Sequence, residues 1–317
     1  MRAGRSFPPK TPRTFIVIPA HNRLATTGAC LHRLRRQGVF GWAAPIIVDD
    51  GSTDGTGDAI RLEFPDVEVL RGNGQLFWTG ATELGMRRAV ERDADFVFWL
   101  NDDCEPQPGA LAALLAVARE RHAVTGGVCV LPHSGQAVYG GFKKGRRKLE
   151  FISAAPGEVT ARAALNGNLV CVPRAVIDAI GFPDGRGLPH ASGDTDYTLR
   201  ATERGHEVLL VGDARAQATP HNRLGYASWL LSGMSVREVW ATLVNPRAYG
   251  YLPADMRFRW RHWGWAGLGR SLWLVAKRVP VSLAILTVPL DTRRRWWSSR
   301  SAAWRYEQMI RAESGHE

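Results

Sequence analysis

Short apolar runs that stop abruptly at polar clusters, separated by longer helical stretches, dominate the first 121 residues. Residues 14–19 (TFIVIP) run into His21-Asn22-Arg23, and residues 45–48 (PIIV) run into Asp49-Asp50-Gly51. A third run covers residues 67–70, and a fourth, residues 95–100 (DFVFWL), ends at Asn101-Asp102-Asp103. Runs this short, apolar and β-branched read as strands buried on both faces. Residues 22–37, 53–64, 79–92 and 108–121 read as helices, the first with Leu24, Leu31 and Leu34 on one side. Such alternation predicts βαβ units in an α/β, open, mostly parallel sheet flanked by helices. Ligands of such sheets bind beyond the carboxyl ends of the strands, so polar residues just past strand ends carry most weight. The middle is less regular. It has strand-like pieces at 123–131 and 137–142, a basic loop at 143–148, a short helix at 174–180 and a strand at 208–211. No internal repeat is visible.

Four polar clusters follow in order: 19–23 (PAHNR), 48–56 (VDDGSTDGT), 101–103 (NDD) and 193–197 (GDTDY), the last trailed by Arg200 and Gly205. Singly each has a structural reading. Asp-Asp after a strand is often a turn or helix cap, Asp54 reads as a helix N-cap, and Asp194 and Asp196 are placed to cap the helix carrying Arg200. Together they suit group transfer from a diphosphate. The leaving group gains negative charge as its bond breaks, and a hard divalent cation held by carboxylates neutralises it. Asp103 is the metal candidate, with Asp102 nearer the ribose or sugar. Asp194 is the candidate general base for an acceptor hydroxyl, and Asp50 is expected to accept a hydrogen bond from a nucleotide base.

These motifs resemble the family 2 glycosyltransferases of GT-A fold, in TFIVIPAHNR and IIVDDGSTDGT, then FVFWLNDDCEPQPGAL and GDTDYTLRATERGHEV. The resemblance covers roughly residues 14–225 and implies a nucleotide-sugar donor. It assigns base contacts to Pro19, Ala20, His21, Asn22 and Asp50, the ribose side to Asp102 and a metal ligand to Asp103. It puts the catalytic base on Asp194, an accompanying Arg at Arg200, and a late metal or diphosphate ligand at His221. Two departures stand out: the acid that usually precedes the base is Gly193, and the aspartate motif reads NDD rather than DXD. The segment 72–80 (GNGQLFWTG) is similar to a donor-site loop of rhamnosyltransferase-like bacterial members. It therefore makes Gly74 and Trp78 sugar-contact candidates, alongside Asn168, Asp196 and Arg200; a Gly-rich turn with a packed Trp78 is the plain alternative. The implied reaction is inverting and needs Mn²⁺ or Mg²⁺.

Net charge is +11, and its location decides what it means. Between residues 257 and 311 there are twelve Lys/Arg against two acids, and seven of the twelve tryptophans follow residue 255. The expected organisation is a basic tail at 1–13, a catalytic domain at 14–225 and a helical, basic, Trp-rich region at 226–317. Residues 271–290 are apolar for about the length of a span, but Lys277, Arg278 and Pro280 at their centre oppose spanning. An interfacial helix pair on an anionic membrane is expected instead, with packing against the catalytic domain as the alternative. A lipid-linked or glycan acceptor fits that location, on the inner face of the plasma membrane. The N-terminus shows no apolar leader, and the four cysteines form no CxxC pair, which opposes a zinc site. The rival reading is a nucleic-acid- or membrane-binding protein with an inactive domain, using Arg and Trp for phosphates and bases. It lacks any recognition motif and leaves the acids unexplained, so no nucleic-acid partner is expected. A nucleotidyltransferase would open with a Gly-rich pyrophosphate loop where PAHNR stands.

Overall fold

A computed structural model of the protein describes residues 13–219, 226–298 and 301. The chain opens with β1 (Thr14–Ala20), α1 (Leu24–Arg36), β2 (Ala43–Asp49), α2 (Thr56–Glu63), β3 (Glu68–Arg71), α3 (Phe77–Glu91) and β4 (Phe96–Leu100). The expected strands and helices stand here within a few residues of their expected ends. β3, β2, β1 and β4 lie side by side, all parallel. Side chains of β1, β2 and β4 alternate between two cores, as a two-residue period requires. Ile16, Ile18, Ile47, Phe98 and Leu100 face one side, and Phe15, Val17, Ile46, Val48, Val97 and Trp99 the other. Helix α3 presses closely on the second face. A Cβ on Gly85 would lie 2.3 Å from Val17 Cγ1 and 3.1 Å from Val48 Cγ2.

Beyond β4 the sheet turns mixed. β5 (Glu105–Pro106), α4 (Ala110–Arg121), β6 (Val124–Val130) and β7 (Ala137–Tyr139) come next, then β8 (Gly141–Lys144) and β9 (Leu149–Ile152). β10 (Val159–Ala161), β11 (Ala164–Leu165), β12 (Leu169–Pro173), α5 (Arg174–Ile180), α6 (Gly193–Glu203) and β13 (Val208–Gln217) complete this part. β12 inserts antiparallel between β4 and β6, and β13 returns parallel to β6. The piece expected as one strand at 137–142 is two. β7 joins the large sheet, while β8 pairs with β9 and β11 in a small separate one.

The C-terminal region is helical: α7 (Tyr226–Leu231), α8 (Val236–Ala241), α9 (Leu252–Ala276), α10 (Arg278–Thr287) and α11 (Leu290–Trp297). α9 breaks at Gly264, whose φ is +55°. The apolar stretch at 271–290 is divided at Lys277 between α9 and α10, and among the described residues no helix is long and apolar enough to cross a membrane. The first half of α9 docks on the catalytic domain through a buried carboxylate. Asp196 has no solvent exposure and meets Arg200 Nε at 3.0 Å, Arg261 Nη1 at 2.7 Å and His262 Nε2 at 3.0 Å. Burial pushes its pKa up, but His262, Arg200 and Arg261 hold it below the ordinary value. Asp184 adds a second anchor, taking Arg257 at 2.7 Å and Arg261 at 2.8 Å. Much of the basic excess is thus turned inward: Arg278 and Arg293 are buried, and Arg257, Arg259 and Arg261 are in ion pairs.

Two outcomes follow from this packing. Gly85→Val overpacks the α3–sheet contact and lowers unfolding free energy by about 1–3 kcal/mol, read by urea denaturation. Asp196→Ala leaves Arg261 and Arg200 without their buried partner and costs about 3–5 kcal/mol in the same assay. Because the folded pKa of Asp196 is depressed, its contribution is fully present above the ordinary carboxylate value of 3.8 and is lost as pH falls through the lower folded value.

Candidate active site

The ends of β1 and β2 are stapled by Asn22, which sits in the left-handed region with φ +53°. Its N–H donates to Ser52 Oγ at 2.8 Å, and its Oδ1 accepts the Thr53 N–H at 2.7 Å. Pro19 and Ala20 close β1 in register with Val48 and Asp49. His21 Nδ1 lies 2.7 Å from the Asp50 carbonyl oxygen, which only accepts, so Nδ1 carries the proton. Its Nε2 then offers a lone pair toward Arg247 Nη2 at 3.4 Å. Asp54, expected as a cap, does more. It accepts the Leu24 N–H at 3.2 Å and the Thr56 N–H at 3.0 Å, tying the starts of α1 and α2 together.

Asp50 is 4% exposed and has both oxygens occupied: Oδ1 accepts the Gly74 N–H at 2.8 Å and Oδ2 the Phe77 N–H at 2.9 Å. The glycines of the 72–74 turn exist for this contact. A Cβ on Gly72 would lie 2.6 Å from Asp50 Oδ1, and one on Gly51 would lie 2.8 Å from Gly74 N. Asp50 therefore fixes the loop that delivers Trp78.

After β4, Asn101, Asp102 and Asp103 diverge. Asn101 Oδ1 accepts the Trp78 Nε1–H at 2.6 Å, and its Nδ2 donates to Asn168 Oδ1 at 2.5 Å, a relay from α3 across β4 to β12. Asp102 is 5% exposed, with Oδ2 taking the Thr27 hydroxyl at 2.8 Å and Oδ1 facing Arg23 Nε at 3.0 Å. Burial raises its pKa to about 6 against the pull of Arg23. Arg23 Nη2 also meets Asp103 Oδ2 at 2.9 Å, and the Asp103 side chain is 25% exposed. Arg23, which sequence reasoning passed over, is thus the counter-ion of both aspartates. A hard divalent cation takes one or two carboxylates plus phosphate oxygens. Asp103 fits that donor set; Asp102, buried and doubly engaged, does not. No cluster of three or more candidate ligands gathers among the described residues, and His221 lies outside them.

Asp194 opens α6. Its Oδ2 accepts the Gly167 N–H and its Oδ1 the Thr195 N–H, each at 2.7 Å, while burial raises its pKa. Gly167 is wedged between Trp78 and Asp194: a Cβ there would lie 2.5 Å from Trp78 Cη2 and 2.8 Å from Asp194 Cβ. The absent acid at 193 has a steric cause, since a Cβ on Gly193 would lie 2.1 Å from Thr79 Oγ1.

Trp78, Asn101, Asn168 and Asp194 line one wall of a cleft of about 460 Å³. The C-terminal region supplies the facing wall, including Arg247, Tyr249, Trp263 and Arg270. His190 also lines it, with a pKa lowered by burial and by Arg247. No local motif marked these residues; Trp263 and Arg270 lie on α9 and Arg247 and Tyr249 just before it, while His190 comes from the segment that leads into α6. Asp50, Gly74, Asp102 and Asp103 do not line this cleft. Asp196 and Arg200, expected near the sugar, do not either. Asp196 is fully buried in its ion-pair group, and Arg200 spends its Nη atoms on the Ile180 and Phe182 carbonyls at 2.8 and 3.0 Å.

Asp50→Ala leaves the Gly74 and Phe77 N–H groups without acceptors. It should lower stability by about 1–3 kcal/mol in chemical denaturation and release residues 72–77 to hydrogen exchange.

The Glycosyl transferase family 2 model matches residues 15–161. The undecaprenyl-phosphate mannosyltransferase of Micrococcus luteus is 33% identical over 121 residues, 36% of this chain and 47% of that one, so the match spans about half of the relative's length. Among solved structures, the mannosyltransferase PcManGT from Pyrobaculum calidifontis, in complex with GDP-Man and Mn²⁺, gives a TM-score of 0.53 at 16% identity, covering 96% of this chain and 85% of that chain. GalNAc-T7 with UDP, GalNAc and Mn²⁺ gives 0.57 at 15% identity, covering 92% and 58%. At such identities the likeness is one of fold. Residues 15–161 thus match the glycosyltransferase family 2 model, and the chain as a whole shares the GT-A fold of these solved structures.

Proposed function

We propose that this protein is an inverting, metal-dependent glycosyltransferase that moves a sugar from a nucleotide-diphosphate donor to a hydroxyl of a glycan or lipid-linked acceptor. The observation that carries the reading is Asp194: an oriented carboxylate with a raised pKa on the wall of a two-sided cleft. In this reading residues 14–225 form the catalytic domain and residues 226–317 supply the acceptor-side wall. The nucleotide is held on the β1–β2 side by Pro19, Ala20, His21 and Asn22, with Asp50 shaping its loop and Asp102 toward the ribose. Trp78 and Asn168 border the sugar, and Gly74, held by Asp50, shapes the loop that leads to Trp78. A divalent cation, Mn²⁺ or Mg²⁺, would be held through Asp103, with His221 as a further candidate for the metal or the diphosphate, and would supply positive charge to the diphosphate.

Asp194 takes the proton of the acceptor hydroxyl as its oxygen bonds to the anomeric carbon and the bond from that carbon to the diphosphate breaks. The two backbone N–H donors fix the carboxylate's direction, and burial raises its basicity. The relatives that bind GDP-Man or UDP with Mn²⁺, and the relative named for undecaprenyl phosphate, support the donor and acceptor classes. Peripheral association with a membrane surface is supported by exposed apolar and aromatic side chains on α9–α11, among them Trp265, Leu272, Trp273, Leu286 and Trp296. The inward ion pairs of α9 disfavour a nucleic-acid role, because that arginine charge is already neutralised.

Thermal unfolding with UDP, dTDP or GDP, each with and without Mn²⁺ or Mg²⁺, tests the donor side. One nucleotide at about 100-fold excess over its Kd should add roughly 2.7 kcal/mol only with metal, and Asp103→Ala should abolish the effect. No stabilisation by any pair contradicts the reading. Asp194→Asn should lower kcat by about 10²–10⁴-fold while leaving nucleotide stabilisation intact. For the wild type, the acid limb of kcat/KM should lie above the ordinary carboxylate value of 3.8, activity falling as pH drops through the raised folded pKa.

A further inference from the structure

A second cavity, of about 260 Å³, lies within the C-terminal helices and shares Tyr249, Asp255, Arg259 and Arg270 with the cleft that holds Asp194. Its walls combine two properties that seldom coincide. Trp229, Leu243, Leu274 and Val275 are apolar, yet Arg270 and Arg278 also line it. Arg278 is 2% exposed. Its guanidinium is satisfied by neutral groups: the Leu274 carbonyl at 2.9 Å, Thr242 Oγ1 at 3.0 Å and the Trp229 ring at 4.3 Å. Gly250 leaves the space it occupies, since a Cβ there would lie 2.6 Å from Arg278 Nη2. Among the described residues, the carboxylate that favours its charge is Asp255. That group is already engaged by Arg259 at 2.8 Å and by the Ser271 hydroxyl at 2.6 Å. Arg270, on the shared wall, has a buried Nε without a hydrogen-bond partner. Burying a guanidinium is costly unless an anion compensates it. The cavity therefore holds more positive charge than the described carboxylates neutralise.

We propose that this second cavity seats the phosphate of the acceptor between Arg270 and Arg278, so that a sugar hydroxyl on the same molecule reaches Asp194 through the shared wall. The inference rests on the transferase reading for the role of Asp194, and it extends that reading by giving the acceptor a phosphate and a named site. An apolar chain attached to the phosphate would find Leu274 and Val275 beside it, and Leu272 and Trp273 exposed on the outside of the same helix.

Calorimetric titration of the full chain tests this, with UDP, GDP or dTDP and Mn²⁺ present in excess to fill the donor site. The probes are a polyprenyl phosphate in detergent micelles, the uncharged polyprenol in the same micelles, and inorganic phosphate. The polyprenyl phosphate should bind and the polyprenol should not. Arg270→Gln should weaken binding about tenfold or more, as loss of a charge-assisted contact requires. Leu274→Trp, which fills the cavity without removing charge, should weaken it as well. Stronger binding of the polyprenyl phosphate than of inorganic phosphate assigns the site to a lipid-borne group; equal binding assigns it to a soluble phosphate-bearing acceptor. The proposal is overturned if neither phosphate binds, or if both variants bind as the wild type does. Loss of nucleotide binding would instead remove the transferase reading, while an Arg270-dependent phosphate response tests the cavity on its own.

Discussion

The carboxylate of Asp196 has no access to water and must be neutralised by protein alone. Arg200 comes from its own helix, but Arg261 and His262 come from α9, so the full set of partners is assembled only when the C-terminal helices are docked. That constraint gives the cleft its second wall. Without it, Asp194, Trp78 and Asn168 would face solvent, and Arg247, Tyr249 and Arg270 would have no fixed place opposite them. Removing one partner from such a group is far more disruptive than its net contribution to stability, because the remaining charges stay buried.

The same economy runs through the donor side. Each of these aspartates, two past strand ends and one in the first turn of α6, has a structural partner before it has a ligand. Asp50 takes two loop N–H groups, Asp102 takes Thr27 and Arg23, and Asp194 takes Gly167 and Thr195. Glycine stands where these contacts leave no room for a side chain, at 72 against Asp50, at 167 between Trp78 and Asp194, and at 193 against Thr79. Arg23 links the two aspartates after β4 and is the cation a bound metal would have to work beside.

The sequence made the nucleotide half of the fold readable because its strands are buried on both faces and so stand out as unbroken apolar runs. β1, β2 and β4 are read from composition alone, and α5 falls on the residues its pattern marks. β12 is an equally apolar run, LVCVP, but its antiparallel insertion is not legible in it, since direction depends on a connection whose path no local period encodes. The polar clusters were visible as clusters, not as roles. Asp196 and Asp194 sit two residues apart on one helix, and only partners more than sixty residues away decide that one is buried and the other faces the cleft. The excess of arginine after residue 257 pointed outward to a surface. Part of it is instead tied up in ion pairs with Asp184, Asp196 and Asp255, because a long side chain on a helix can serve either face and its composition does not say which.

The central claim is a single displacement in which Asp194 deprotonates the acceptor and no side chain bonds to the sugar. Proton NMR of the first product, taken before any anomeric equilibration, reads this directly. The account predicts a glycosidic linkage of configuration opposite to that of the donor. A product that retains the donor's configuration would contradict it, because it requires a second displacement or a front-face route in which Asp194 does not have this role.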